Sequence, residues 1–414
     1  MYMSSEISKW VSKPWKNEAD EFPILGISHD TRTLKEGDVY IAIRGENHDG
    51  HDFVGQAFEK GAAGIIVEKL CPSIQKPQLV VSDTRTALWQ MAAGARAGWA
   101  GTVIGVTGSA GKTTVKEMVA SVLSQKGTVS KTIGNWNNEI GLPLSMIAAD
   151  RNSDFFVFEL GMSHPGEIQL LAGLLEPDWA LVTNIGKAHI GSFQSLEKIA
   201  DEKASIFEHS KHGLLDRDSE WFDRMKRRFD GAVTALTDRP IHVFQPGEHM
   251  MQNARFAATL GLALGLTLEE VQAGLDAFEP APMRWAVSLY KGITLINDAY
   301  NANPLSMRAA VSTFAEMPCS GRKFLVLGGM LELGDSELEE HQLLGEFIEP
   351  FRFDRVITIG SLGGLIACGG ACGTTKEEAA DILSKELCEG DMVLLKASRG
   401  ARLETILEEL KKTI

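Results

Sequence analysis

The sequence predicts three α/β domains in a row. They are a small N-terminal block, a central parallel-sheet block of the P-loop ATPase type and a C-terminal Rossmann-like block. Three observations lead there. The chain has 414 residues, and domains run at about 100–200 residues each. Short apolar runs alternate with stretches of helical period, which is the rhythm of parallel sheets covered on both faces. A Gly-rich turn joins one such run to one such helix near the start of the second block.

Composition narrows the field further. There are 41 Lys+Arg against 55 Asp+Glu, a formal net charge of −14. An acidic chain repels a phosphate backbone, so no nucleic-acid partner is expected. Hydrophobic residues make up 44% and charged residues 23%, as in ordinary soluble globular proteins. No run approaches the roughly 18 apolar residues of a membrane span. Residues Met1–Phe22 mix charges with Trp10, Pro14 and Trp15 and contain no apolar h-region, so no signal peptide is expected. Five cysteines in this length do not form a disulfide framework, and a cytoplasmic location follows. Cys368 and Cys372 lie close together, but no CxxC or Cys/His set accompanies them; they read as ordinary cysteines in a Gly-rich loop rather than a metal site.

The first block, residues 1–98, has strand-like runs at Val39-Tyr40-Ile41-Ala42-Ile43 and Gly64-Ile65-Ile66-Val67. Turn residues Gly45-Glu46-Asn47-His48-Asp49-Gly50 separate them. The second block, residues 99–283, opens with Thr102-Val103-Ile104-Gly105-Val106, a buried-strand pattern. After the Gly-rich turn, a helix is predicted from near Thr113. Val115, Met118, Val119, Val122 and Leu123 place its apolar positions on one face. Phe155-Phe156-Val157-Phe158 and Trp179-Ala180-Leu181-Val182 are further strand candidates. Pro280 and Pro282 mark a linker into the third block, residues 284–414. That block repeats the pattern at Gly292–Ile296, Phe324–Leu327, Arg355–Ile359 and Asp391–Leu395. No fixed-period repeat or low-complexity tract interrupts any block.

The most specific segment is Thr107-Gly108-Ser109-Ala110-Gly111-Lys112-Thr113-Thr114, between a predicted strand and a predicted helix. Glycines let such a loop turn successive backbone N–H groups toward phosphate oxygens, and the helix N-terminus adds partial positive charge. Lys112 can reach the β- and γ-phosphates, and the Thr113 hydroxyl can bind Mg²⁺. Val106 stands where the standard motif has its first glycine. The strand–loop–helix setting still points to nucleotide binding rather than to a turn with a solvated lysine.

Polar residues then recur at predicted strand ends, the edge where open parallel sheets bind ligands. Glu159 ends one strand, and Thr183-Asn184 end another, with Gly186 and His189 just beyond. In the third block Asn297-Asp298, Gly328 and Lys396 hold the same position. Glu159 suits Mg²⁺, a hard cation that prefers oxygen. His189, taken alone, reads as a structural hydrogen-bonding residue, because imidazole better suits softer metals.

Several longer segments carry a resemblance beyond these single residues. They are Thr107–Thr114, Gly134-Asn135-Trp136-Asn137-Asn138-Glu139-Ile140-Gly141-Leu142-Pro143-Leu144, Glu159-Leu160-Gly161-Met162 and Asn184-Ile185-Gly186-Lys187-Ala188-His189. Asp298-Ala299-Tyr300-Asn301-Ala302-Asn303-Pro304 and Leu331-Glu332-Leu333-Gly334 continue the series. Over nearly its whole length the chain resembles the Mur ligase family, and the Asn-x-Asn-Asn and Asp-Ala-Tyr-Asn-Ala-Asn-Pro runs resemble one branch of it.

The resemblance implies an ATP-dependent amide ligase of peptidoglycan precursor synthesis, which adds D-alanyl-D-alanine to UDP-N-acetylmuramoyl-tripeptide through an acyl phosphate. It implies ATP and two Mg²⁺ ions as cofactors, small-molecule substrates as the only partners, and a monomer. Thr113 and Glu159 would bind the first Mg²⁺ and His189 the second, which reverses the reading of His189 on its own. Lys203 would be carbamylated by CO₂ and help hold Mg²⁺; read as sequence alone it is a solvated helix lysine. Asn253 matches an adenine contact and Arg284 an arginine near the nucleotide. Asp298 and Asn301 would reach the nucleotide from the third domain. Asp30-Thr31-Arg32, Asp49-Gly50-His51 and Asn135, Asn137 and Asn138 match substrate-binding segments, with the first block as the UDP-sugar domain.

The chain departs from the family pattern at Gly329 (usually Asp), Met250 (usually Asn) and Ala397 (commonly Gly), and Phe207–Gln245 is short. These departures leave two alternatives beside the main reading. One is the same acyl-phosphate chemistry on other substrates in a specialised pathway; the other is a nucleotide-binding partner that no longer ligates.

Overall fold

The computed structural model describes residues 1–17, 20–366 and 371–413. Cys368 and the side chain of Cys372 lie outside the described residues, and the expectation about them rests there. The chain is of the α/β class and divides into two compact units. The first holds residues 1–105, 127–161 and 169–179; the second holds residues 106–126, 162–168 and 180–414.

In the first unit a five-stranded sheet runs in the order Trp15–Lys16, Gln78–Val80, Gly64–Val67, Val39–Ile41, Ile27–Ser28. All neighbours are parallel except Trp15–Lys16. Every residue of Gly64–Val67 is buried, which is why that strand reads as an unbroken apolar run rather than an alternation. The expected Val39–Ile43 strand stops at Ile41, and Arg44 and Asp49 then bridge across the turn that carries Asp49-Gly50-His51. The helix Thr84–Ala97 starts where the Asp83 carboxylate accepts from the Thr86 N–H, a side-chain N-cap. Phe155–Glu159 pairs in parallel with Val129–Lys131. Trp99 stacks on Phe156 with ring centroids 4.1 Å apart.

In the second unit the helix Lys112–Leu123 buries its predicted apolar face against the helices Glu248–Ala263 and Leu268–Asp276. His212–Leu215 and Ala232–Ala235 pair in parallel. A six-stranded sheet follows in the order Ala286–Tyr290, Ile293–Asn297, Met392–Lys396, Lys323–Gly328, Arg355–Ile359, Ala371–Thr374. All its pairs are parallel except the first, which is a hairpin. That hairpin turns at Lys291 and Gly292, whose φ values are +48° and +75°, the backbone of a two-residue turn that suits strand twist. The Ala286–Tyr290 strand is an addition to the expected set. It lies at the sheet edge with no fully buried residue, so it lacks the apolar run that marks the inner strands. The core of this sheet packs Leu295, Phe324, Val326, Ile357, Val393 and Leu395 with the helical Leu383, Ile406 and Leu410.

Candidate functional site

The phosphate-type loop has the conformation its glycines permit. Gly108 and Gly111 have φ of +154° and +77°, a region open to glycine and strained for other residues. Space forbids a side chain as well. A Cβ on Gly108 would lie 1.8 Å from Thr183 Oγ1, and one on Gly111 would lie 2.6 Å from Asn253 Oδ1. The loop is pinned by the strand end beside it. Ala110 N–H donates to Asn184 Oδ1 at 2.8 Å, and the Thr183 hydroxyl donates to Ala110 O at 2.6 Å. Ser109 Oγ lies 3.0 Å from Gly186 O. Gly111 is the N-cap of the Lys112–Leu123 helix, and Lys112 Nζ donates to Gly108 O at 3.0 Å. A helix start of this kind gathers N–H groups and partial positive charge where an anion can use them.

A cavity of about 400 Å³ opens over this loop. Ser109 to Thr114 form one wall, and Asn253, Arg284, Asp298 and Asn301, all expected from the sequence, line the rest. The Arg284 guanidinium lies 4.3 Å from the Tyr300 ring centre, a cation–π contact that fixes its plane. Asp298 is tied on both sides: its Oδ2 lies 2.5 Å from Lys396 Nζ, and its Oδ1 accepts from Trp285 N–H at 3.1 Å. His249 also borders the cavity, and burial pushes its imidazole pKa down against the opposing pull of Asp298. Its neutral form is favoured.

Residues to which the sequence assigned no role complete the cavity. Asn303 Nδ2 donates to Ser109 O at 3.0 Å and so ties the third block to the phosphate loop. The same residue caps the helix Pro304–Glu316. Asn directly before Pro at a helix start is a readable N-cap signal, but its reach to Ser109 depends on the fold. The stretch Phe207–Gln245 supplies Asp216, Ser219, Glu220 and Trp221 to the cavity wall.

His189 and Lys203 lie outside that cavity's lining but in the same unit. His189 has φ of +58°, and its Nδ1 lies 2.7 Å from Glu332 Oε2. Lys203 is 1% exposed on the helix Leu196–Ala204. Burial, followed by the charge of Lys112, drives its amine pKa well below the ordinary lysine range. The solvated helix lysine read from the sequence is therefore corrected. A signal was present: Lys203 follows Ile199 by four and Ala200 by three, on the buried face.

The remaining expected residues belong to the first unit. Glu159 is buried at its strand end, where Asn137 Nδ2 donates to its Oε1 at 2.6 Å. Asn138 Oδ1 accepts from Gly141 N–H at 2.8 Å at the start of the Gly141–Ala148 helix. Asn135 lies exposed in the turn before it. Asp30 makes a bidentate pair with Arg32, whose hydrogen bonds bring its carboxyl pKa down to about 2. Thr31 Oγ1 donates to Gln56 Oε1 at 2.5 Å. His51 Nδ1 lies 2.6 Å from Asp49 Oδ1, and its Nε2 accepts from Glu68 N–H at 3.0 Å. A Cβ on Gly50 would come within 2.7 Å of the Ile43 backbone. Among the described residues, no group of three or more His, Cys, Asp and Glu could by itself hold a metal ion.

Two of the departures have a packing account. A Cβ at Gly329 would lie 2.4 Å from Leu362 Cβ, so this chain has no room for an aspartate there without moving Leu362. Met250 is buried beside Asn253, with its Sδ 4.0 Å from Asn253 Nδ2. Nothing in the structure explains Ala397.

Comparison with known proteins finds three matched stretches. Residues 23–96 match the model of the Mur ligase family catalytic domain, residues 106–238 the Mur ligase middle domain, and residues 283–399 the Mur ligase glutamate ligase domain. The UDP-N-acetylmuramoyl-tripeptide–D-alanyl-D-alanine ligase of Bacillus subtilis (strain 168) is 36% identical over 94% of this chain and 93% of its own. The enzyme of the same name from Escherichia coli (strain K12) is 34% identical over 93% of each. Among solved structures, MurF from Acinetobacter baumannii superposes with a TM-score of 0.88 at 29% identity, over 99% of this chain and 98% of its own. MurF ligase from Thermotoga maritima in complex with ADP gives 0.82 at 29% identity, over 95% and 99%.

Proposed function

Because the chain belongs to the Mur ligase family, we propose that it joins D-alanyl-D-alanine to the terminal carboxylate of UDP-N-acetylmuramoyl-tripeptide at the expense of ATP. The observation that carries the reading is the cavity over the phosphate loop. It gathers Lys112, Asn253, Arg284, Asp298 and Asn301 in one place, in a chain 36% identical over 94% of its length to a ligase of that name. Residues 1–98 are read as the UDP-sugar domain, 99–283 as the ATP domain and 284–414 as the closing domain. The partners are small molecules, acted on by a cytoplasmic monomer. No helix among the described residues is long and apolar enough to cross a membrane.

In this reading the γ-phosphoryl group passes to the substrate carboxylate, giving an acyl phosphate and ADP. The dipeptide amine then attacks the acyl carbon, the amide forms, and phosphate leaves with its oxygen. Lys112 neutralises charge that builds on the transferring phosphoryl group. Its present hydrogen bond to Gly108 O holds it at the loop, ready to exchange that acceptor for a phosphate oxygen. Asn253, packed on Gly111, places the adenine, and Arg284, held on Tyr300, lies along the nucleotide.

The donor set suits Mg²⁺. A threonine hydroxyl, a buried carboxylate and substrate phosphates are oxygen ligands, and Mg²⁺ is commonly held by few protein groups. Thr113, Glu159, His189 and modified Lys203 are each read as Mg²⁺ ligands; bound Mg²⁺ neutralises phosphate charge. Enclosure favours the neutral Lys203 amine, the form that adds CO₂ to give a carbamate and release a proton. Lys203 would then present anionic oxygen in place of a buried neutral amine.

The test is phosphate release from ATP with both proposed substrates and with each omitted. Release that needs both, with a product heavier by the dipeptide, supports the reading. Tight ATP binding without release would discard these substrates and favour ligation of another carboxylate and amine.

A further inference from the structure

Within the phosphate loop, the peptide joining Ser109 to Ala110 is held by two asparagines from different blocks. From the central block, Asn184 Oδ1 accepts from Ala110 N–H at 2.8 Å. The Asn184 carbonyl also accepts from Ser109 N–H at 3.0 Å. From the third block, Asn303 Nδ2 donates to Ser109 O at 3.0 Å. The C=O and N–H of one peptide lie in a single rigid plane, so these bonds together fix how that plane is turned. Leu305 adds an apolar seat. A Cβ on Gly186 would lie 3.2 Å from Leu305 Cδ2 and 3.7 Å from Ser109 Cβ.

Asn303 is 6% exposed and uses both ends of its amide. Its Oδ1 accepts from Ser306 N–H at 2.9 Å and caps the helix Pro304–Glu316. Its own N–H donates to Ser306 Oγ at 3.1 Å. The Ser306 N–H needs an acceptor and the Ser109 carbonyl needs a donor, so the amide has one orientation. Capping alone does not call for asparagine, because aspartate and serine serve as well. Neither replaces the second bond. An ionised aspartate has no proton to donate, and the single short hydroxyl of serine cannot serve both ends.

We propose that Asn303 is a positioning residue for nucleotide binding: from the third block it sets the phosphate loop, so that seating of that block and capture of the phosphates are linked. The proposal rests on the reading of this loop as the ATP phosphate site. Asp298 and Asn301 line the cavity a few residues before Asn303. One short segment therefore walls the cavity and also holds the loop beneath it. Linkage of this kind is reciprocal. A bound nucleotide steadies the start of the helix Pro304–Glu316, and that helix start in turn raises nucleotide affinity.

The test compares the full chain as wild type, Asn303→Asp and Asn303→Ser. ADP affinity is measured by calorimetry, and amide hydrogen exchange is followed with and without ADP. Both variants keep a capping oxygen, so exchange across residues 304–316 without ADP should match wild type. Their ADP affinity should fall by about 3–10-fold, the effect of one lost hydrogen bond. Asn303→Asp should fall further, because its carboxylate faces the Ser109 carbonyl. ADP should slow exchange at residues 304–316 in wild type, and that slowing should shrink in both variants. Wild-type ADP affinity in both variants overturns the proposal. So does faster exchange across 304–316 before ADP is added, which would make Asn303 a helix cap and nothing more. A wild-type protein that does not bind ADP overturns the reading of the loop itself, and the proposal with it.

Discussion

Lys396 Nζ lies 2.5 Å from Asp298 Oδ2 in the wall of the cavity over the phosphate loop, and the Lys396 side chain is only 3% exposed. The lysine ends an inner strand of the C-terminal sheet, and the aspartate follows the neighbouring strand. Parallel pairing of Asn297 with Leu395 brings the two charges together at the sheet's carboxyl edge.

Removing one member leaves the other enclosed without its counter-charge. Breaking such a pair costs about 3–5 kcal/mol when both groups are buried. Asp298 is 18% exposed, so Lys396→Ala is expected at the lower end, about 3 kcal/mol, in urea unfolding. Lys396→Met with Asp298→Asn should recover part of the loss. A single mutant with wild-type stability would remove the pair from the account of the fold.

Lys112→Ala should cut turnover by at least about 10²-fold, the effect of losing one preorganised charge partner in a transition state. The backbone of the loop is held by Thr183 and Asn184, so ADP should still bind. Turnover within a few-fold of wild type would sink the assigned role.

Lys203 gives a pH signature. Its folded pKa lies below the unfolded value near 10.4 because the charged form is desolvated and faces Lys112. The unfolded chain therefore binds the extra proton across that interval, so stability rises with pH up to the unfolded pKa. In CO₂-free buffer the stability advantage of Lys203→Met over wild type should shrink as pH rises toward about 10. Adding bicarbonate at neutral pH should then stabilise wild type and leave Lys203→Met unchanged. Equal responses to bicarbonate would remove the carbamate.

Asp30 titrates in the opposite sense. Its folded pKa of about 2 is set mainly by hydrogen bonds from Arg32. Whatever this pair adds to stability is complete above the unfolded value near 3.9 and is lost as pH falls toward 2. NMR titration should give a midpoint near 2, and Arg32→Ala should move it up toward the ordinary carboxylate range. An unmoved midpoint would exclude Arg32 as the cause.

Strands such as Gly64–Val67, Trp179–Val182 and Arg355–Ile359 begin and end where the apolar runs do. They are buried inner strands, and burial on both faces writes itself into consecutive residues. The phosphate loop is legible for a similar reason. Positive φ at Gly108 and Gly111 restricts which residues can stand there, and the helix that follows shows its face within three turns. The edge strand Ala286–Tyr290 escaped notice because an exposed edge imposes little on its side chains.

Other features have no local imprint. The 2.7 Å approach of His189 to Glu332 and the hydrogen bond from Asn303 to Ser109 join residues more than a hundred positions apart. The sequence by itself determined the α/β class, the phosphate loop and the family, because period, backbone chirality and contiguous motifs are properties of neighbouring residues. Only the tertiary structure decided that Lys203 is enclosed, that Lys396 is paired with Asp298 and that His189 faces Glu332. Desolvation and charge pairing depend on what distant segments bring to the same place.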